Sequence, residues 1–141
     1  HNSITRSGFK QKGLAIYLDV SGSVNEYLPK ILAILQSLKR EITTIYLFSN
    51  QVFEISFTAL LKGRIKTTGG TDFDCIAASI LEDHLDKAVI ITDGQAEMKA
   101  ENQKKLRDLG LITLTILFDR AQTCRPFEPF GDIVPLADIT R

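Results

Sequence analysis

The sequence predicts an α/β protein: a doubly wound, mostly parallel sheet with one antiparallel edge strand and helices on both faces, Rossmann-like in outline. Three observations predict it. Two runs, Leu14–Leu18 and Ala88–Thr92, carry no polar alternation, which suits strands covered on both faces of a parallel sheet. Each run leads directly into an aspartate, Asp19 and Asp93. Segments with apolar residues at helical spacing separate the predicted strands, and such alternation builds a doubly wound sheet.

Taken in order, residues 1–11 read as a linker or as residues foreign to the domain, and 12–141 as the domain itself. The chain does not begin with Met, so a piece of a longer protein is expected. After the first strand, Asn25 is the expected helix N-cap. Leu28, Ile31, Leu32, Leu35 and Leu38 recur at helical spacing and give one apolar face through about Arg40. Ile42–Ser49 is rich in β-branched and aromatic residues and reads as a strand. Asn50-Gln51 is a turn and Val52–Phe57 a second strand; so short a connection implies an antiparallel hairpin. The segment 58–66 is ambiguous.

Phe73, Ile76, Ala77, Ile80 and Leu81 form the next helical stripe, preceded by Gly69-Gly70-Thr71-Asp72. Thr71 with Asp74 fits a capping box, with Asp in place of the usual Glu. The glycine pair lets the backbone turn tightly and approach a ligand. Beyond Asp93-Gly94, Ala96–Leu109 is expected to be a mostly polar helix stopped by Gly110, with Glu101 and Lys105 spaced for an exposed pair. Leu111–Phe118 is another strand. Pro126 and Pro129 exclude a regular helix within 119–131, and Ile133–Leu136 suits a short edge strand that tolerates Pro135.

Composition narrows the function. Lys plus Arg equal Asp plus Glu, 17 against 17, so the chain lacks the overall basic footprint that would argue for nucleic-acid binding by this domain alone. No apolar run reaches membrane-spanning length and no signal peptide is visible. Two cysteines, Cys75 and Cys124, make no disulfide framework, and free thiols fit a cytoplasmic protein. The one internal histidine, His84, lies in a polar helix end and is expected to be solvated.

The chemistry concentrates at the strand ends. Asp19-Val20-Ser21-Gly22-Ser23 spaces one carboxylate and two hydroxyls two residues apart, so in near-extended backbone they project to one side. The C-terminal mouth of a buried strand is where open α/β sheets bind ligands. Hard oxygen donors with no thiol or imidazole suit Mg²⁺ or Mn²⁺. Read plainly, Asp19 opens a turn, the serines cap the next helix, and Asp93 is the turn residue of Asp-Gly. If Asp19 and Asp93 end neighbouring strands and Thr71 arrives from the preceding loop, two carboxylates and three hydroxyls surround one point.

That pattern resembles the von Willebrand factor type A (VWA) family, whose metal-ion-dependent adhesion site has the form Asp-x-Ser-x-Ser, then a distant Thr, then a distant Asp. Asp19, Ser21, Ser23, Thr71 and Asp93 match it in order, and the resemblance covers roughly residues 12 to 137. It implies that these five residues hold Mg²⁺ or Mn²⁺, completed by an acidic group of a protein partner. Gly69-Gly70-Thr71-Asp72-Phe73 and Pro129-Phe130-Gly131 also look like signatures of the VWA-like domain of bacterial metallopeptidase-like proteins. A peptidase region would lie outside this chain, which has no His-Glu-x-x-His. In adhesion receptors of the family a long C-terminal helix slides; here a proline-containing loop replaces the helix expected before the last strand, so that mechanism is not carried over.

The leading expectation is therefore a metal-dependent protein-binding module and not an enzyme. The alternative is a Mg²⁺-dependent phosphoryl-transfer or hydrolytic enzyme using Asp19, but such sites usually carry a second acid two residues on, where this chain has Ser21. A nucleotide-binding fold is a third reading, and Gly22 alone in the first strand–helix turn does not make a phosphate-cradling loop.

Overall fold

Twelve elements follow one another among the described residues. They are β1 (Leu14–Asp19), α1 (Val24–Ser37), β2 (Ile42–Phe48), β3 (Val52–Ile55), α2 (Phe57–Leu61), α3 (Asp74–Asp83), β4 (Lys87–Thr92), α4 (Ala100–Leu109), β5 (Ile112–Leu117), a 3-10 helix (Arg125–Phe130), β6 (Ile133–Pro135) and a 3-10 turn (Leu136–Asp138). The structure is a computed structural model that describes residues 13–63, 65 and 69–139. The expected linker at 1–11 lies outside the described residues.

The strands form one sheet in the order β3-β2-β1-β4-β5-β6. Only the β2–β3 pair is antiparallel, as the two-residue turn predicts; every other pair is parallel. The apolar runs of β1 and β4 occupy the centre, where both faces must be covered. Their alternation divides the core in two. Ala15 and Tyr17 of β1 and Ala88 and Ile90 of β4 pack with Phe73, Ile76, Ala77 and Ile80 around α3 and with Leu106 of α4. Ile16 and Leu18 of β1 and Val89 and Ile91 of β4 pack on the opposite face with Leu28, Ile31 and Leu35 of α1 and Leu60 of α2. The helices thus cover both faces. Tyr17 and Tyr46 stack with ring centroids 4.9 Å apart, and their hydroxyls reach Ser79 and Asp83 of α3 at 2.7 and 2.9 Å. These bonds let two tyrosines lie under α3 without stranding a hydroxyl.

Several boundaries differ from expectation. α1 begins at Val24, so Ser23, not Asn25, holds the N-cap position, and the helix ends at Ser37. Phe57 belongs to α2 and not to β3, because the Ser56 hydroxyl accepts the Ala59 N–H at 3.1 Å and starts a helix there. α4 begins at Ala100 instead of Ala96. Residues ahead of it are held away from the helix: the Phe73 N–H bonds the Glu97 carbonyl at 3.0 Å, and Asp74 Oδ1 accepts the Lys99 N–H at 2.9 Å. Gly110 stops α4 in the left-handed region at φ 82°. Glu101 and Lys105 approach to 4.0 Å on its exposed face. His84 is half-buried and not solvated; it caps α3 at φ 53°, and its Nδ1 is buried without a partner among the described residues. Turning left-handed lets Leu85 return its N–H to the Ile80 carbonyl, and the same turn folds the imidazole inward.

Residues 119–131 contain a 3-10 helix with Pro126 near its start, and no regular α-helix. Its Phe127 and Phe130 enter the α3-side core, where Phe127 meets Phe73 edge-on at 5.1 Å. Gly131 then lets the chain cross β5 closely before β6 pairs with it. Gly131 is extended, at φ 162°, so its requirement is purely steric: a Cβ there would lie 1.8 Å from the Thr113 carbonyl oxygen. Gly131→Ala should therefore lower stability by about 1–3 kcal/mol, the usual cost of overpacking, read as a lower urea midpoint at unchanged slope.

Candidate functional site

Strand parity and register decide which side chains meet at the mouth. Along β1, Asp19 shares the α3 face with Ala15 and Tyr17; along β4, Thr92 shares it with Ala88 and Ile90. The parallel register pairs Leu18 with Ile91, so one step further Asp19 stands level with Thr92. Both are fully buried. Thr92 Oγ1 donates to Asp19 Oδ2 at 2.6 Å. On the other carboxylate oxygen, Asp19 Oδ1 accepts the Ser21 N–H at 2.9 Å and the Ser21 hydroxyl at 2.5 Å. The Thr71 hydroxyl, arriving from the loop ahead of α3, donates in turn to Ser21 Oγ. A continuous line Thr71–Ser21–Asp19–Thr92 results, all on the sheet's C-terminal edge.

Asp93 continues β4 one residue beyond Thr92 and is half-buried. Its Oδ1 accepts the Gln95 N–H at 2.9 Å. The turn it opens is set by Gly94, at φ 80°, whose N–H donates to Thr92 Oγ1 at 3.0 Å. A Cβ on Gly94 would lie 1.9 Å from the Thr123 carbonyl oxygen, so only glycine fits. At Gly22 and Gly70, both with positive φ, an added Cβ would meet nothing within 4 Å, so the backbone beside the line of hydroxyls is open.

Of the five residues expected to meet, Asp19, Ser21 and Thr71 are joined by hydrogen bonds, and Asp93 is close enough for its charge to act on Asp19. Ser23 stands exposed at the first position before α1 and makes no side-chain capping bond. The plainer roles considered for the hydroxyls are thus filled otherwise. Thr71 does not cap α3; Asp72 Oδ1 does so, accepting the Cys75 N–H at 2.9 Å. Asp93 does act as an Asx-turn residue through its bond with Gln95, which occupies one of its two carboxylate oxygens. The residue that sequence reasoning missed is Thr92. Its signal was a hydroxyl closing an otherwise aliphatic buried strand.

Burial pushes the Asp19 carboxyl above the ordinary value of 3.8; the bonds from Ser21 and Thr92 offset part of that rise, and the Asp93 charge adds to it. Cys124 lies buried nearby, its thiol pushed up to about 12 chiefly by burial, and Cys75 on α3 is raised likewise to about 12. Both are protonated thiols at neutral pH, which argues against a nucleophilic role. Among the described residues no three His, Cys, Asp or Glu side chains are grouped to hold a metal. A cation here would therefore rest on two acids plus hydroxyl oxygens. That set fits a hard divalent ion: every donor is oxygen, and the Ser23 hydroxyl and the second Asp93 oxygen are not consumed by a cap or a turn.

A carboxyl raised in the folded state is protonated more readily there than in the unfolded chain. Its effect on stability is therefore favourable near pH 4 and is lost as pH rises through the folded value. In EDTA, the melting temperature of the wild type relative to Asp19→Asn should fall as pH rises from 4 to 7. Thermal melts at several pH values, with both proteins in the same chelator, measure this directly.

Compared with known proteins, the chain matches no protein-family model and no curated protein, so its site is read from its own residues.

Proposed function

We propose that this chain is a divalent-cation-dependent protein-binding module of the VWA type. Asp19, Ser21, Ser23, Thr71 and Asp93 hold Mg²⁺ or Mn²⁺, and a protein partner completes the site with a Glu or Asp side chain. The observation that carries this reading is the placement of hydroxyls. From the loop ahead of α3, Thr71 reaches across to Ser21, which in turn bonds Asp19, while its neighbour Asp72 takes the capping duty. Thr71 is thus left free of the capping role and faces the mouth.

The chemistry supplied by the cation is Lewis acidity and positive charge at a mouth whose own side chains are two carboxylates and neutral hydroxyls. The protein's part is to hold those oxygens. Asp19 is oriented from both sides by Ser21 and Thr92, and Asp93 by its own turn. A hard cation favours charged oxygen, so a carboxylate is the partner group best suited to it. Past the turn after Asp93, a cavity of about 350 Å³ is bordered by Gly94, Glu97, Met98, Gln103 and Arg125. Asn25 at the start of α1 and the loops at Asp72 and Gln95 would complete the reading surface.

The reading includes a cytoplasmic setting within a larger bacterial protein, supported by two free thiols and by the resemblance to metallopeptidase-associated domains. Among the described residues no helix is long and apolar enough to cross a membrane. Binding, not turnover, is the proposed activity: both thiols are protonated, and His84 caps α3 at the end away from Thr71.

Three tests follow from this reading. Titration calorimetry should show Mn²⁺ binding to the wild type and none to Asp19→Ala; equal isotherms would refute the ligand set. Thr71→Ala should weaken Mn²⁺ binding and leave the urea midpoint nearly unchanged, whereas Asp72→Ala should cost about 0.5–2 kcal/mol of stability, as a lost cap does, and spare the metal. At Mg²⁺ a hundredfold above its Kd, the wild type should gain about 2.7 kcal/mol, and EDTA should reverse the gain.

A further inference from the structure

We infer that Thr92 is a positioning residue that sets the spacing of the two carboxylates and so makes the site select a small cation over Ca²⁺. The inference rests on the metal-centre reading above. Its basis is a single oxygen atom with two partners. Thr92 Oγ1 donates to Asp19 Oδ2 at 2.6 Å and accepts the Gly94 N–H at 3.0 Å. The first partner belongs to the carboxylate at the end of β1; the second belongs to the turn that carries Asp93. Other bonds fix one carboxylate or the other. Of the two carboxylates, Ser21 bonds only that of Asp19, and Gln95 only that of Asp93. Among the described hydrogen bonds, the Thr92 hydroxyl alone joins the two.

The joint is stiff on every side. Thr92 is fully buried in the sheet, with its strand paired to β1 and to β5. Gly94 is pressed against the Thr123 carbonyl, so the turn cannot move outward there without displacing that loop. Stiffness matters because the candidate cations differ in what they tolerate. Mg²⁺ demands a near-ideal octahedron of short bonds, whereas Ca²⁺ accepts six to eight oxygens over a wider range of distances. A rigid pair of carboxylates favours the smaller ion, and a loosened pair surrenders that preference. Partners that orient ligands without touching the metal typically contribute ten- to a hundredfold in affinity.

The test uses Thr92→Val, which keeps the side chain's shape and removes its hydroxyl, and Thr92→Ser, which keeps the hydroxyl. Calorimetry with Mg²⁺ and with Ca²⁺ on the full chain gives the ratio of the two affinities, and melting in EDTA reports the fold independently. The wild type should prefer Mg²⁺. Thr92→Val should lower the Mg²⁺/Ca²⁺ ratio about tenfold or more, with Ca²⁺ affinity little changed, and Thr92→Ser should restore it. If Thr92→Val does not fold, Thr92→Ala takes its place. A folded hydroxyl-free variant that keeps the wild-type ratio, or loses both cations equally, overturns the inference while leaving the metal centre standing. A wild type that binds neither cation overturns the metal-centre reading and this inference together.

Discussion

A carboxylate buried at the end of a central strand is the constraint on which the rest of this structure turns. Asp19 is inaccessible to water, so its charge must be met by donors from the chain itself. Three are supplied, from Ser21 twice and from Thr92 once. Each donor requires a piece of tertiary structure. The Ser21 contacts need the tight exit from β1 into α1, and the Thr92 contact needs β4 directly alongside in parallel register. The carboxylate's burial and its pairing are therefore one feature of the fold, and the raised proton affinity of Asp19 reflects the portion of the burial penalty that those three bonds leave uncompensated, with the Asp93 charge adding to it.

The same constraint explains how the two cores cooperate. α1 lies on one face of the sheet and α3 on the other, and the chain passes between them around the β1–β4 junction. At such a switch point the crossover connections leave in opposite directions and open a crevice at the strands' C-terminal ends. Ser21 and Ser23 come from the α1 side of that crevice and Thr71 from the α3 side. Tyr17 and Tyr46, bonded to Ser79 and Asp83, anchor α3 on the sheet and so hold the loop that delivers Thr71. Packing in the α3-side core is thereby coupled to the geometry of the mouth.

The loop that replaces a helix before the final strand serves the same mouth from the other direction. Its prolines make a 3-10 helix that inserts Phe127 and Phe130 into the core, and its earlier part brings the Thr123 carbonyl against Gly94. The turn after Asp93 is therefore buttressed by residues far along the chain. The mouth therefore has open backbone at Gly22 and Gly70 and a fixed turn at Gly94.

Much of this was legible in the sequence because it depends on local chemistry. Apolar runs without alternation determined the central strands, a short connection the antiparallel edge (three residues, Ser49–Gln51, where two were expected), and Gly110 the end of α4. The spacing of Asp19, Ser21 and Ser23, with Thr71 and Asp93 at later strand and loop ends, indicated a common meeting point, and the described bonds join Asp19, Ser21 and Thr71. What the sequence did not reveal depends on competition between distant groups. α4 starts late because Asp74 captures the Lys99 N–H and Phe73 captures the Glu97 carbonyl, contacts no local propensity encodes. Asp72 and not Thr71 caps α3 because Thr71 is already engaged by a serine fifty positions away in sequence. Thr92 stayed hidden for a like reason. Its neighbour Asp93 carries the motif, but Thr92 faces Asp19, and that pairing exists only once the β1–β4 register is set. Sequence by itself determined which residues can strand, turn and bind; the register of two parallel strands decided which of them touch, because parity and level across a sheet are properties of the pair and not of either strand alone.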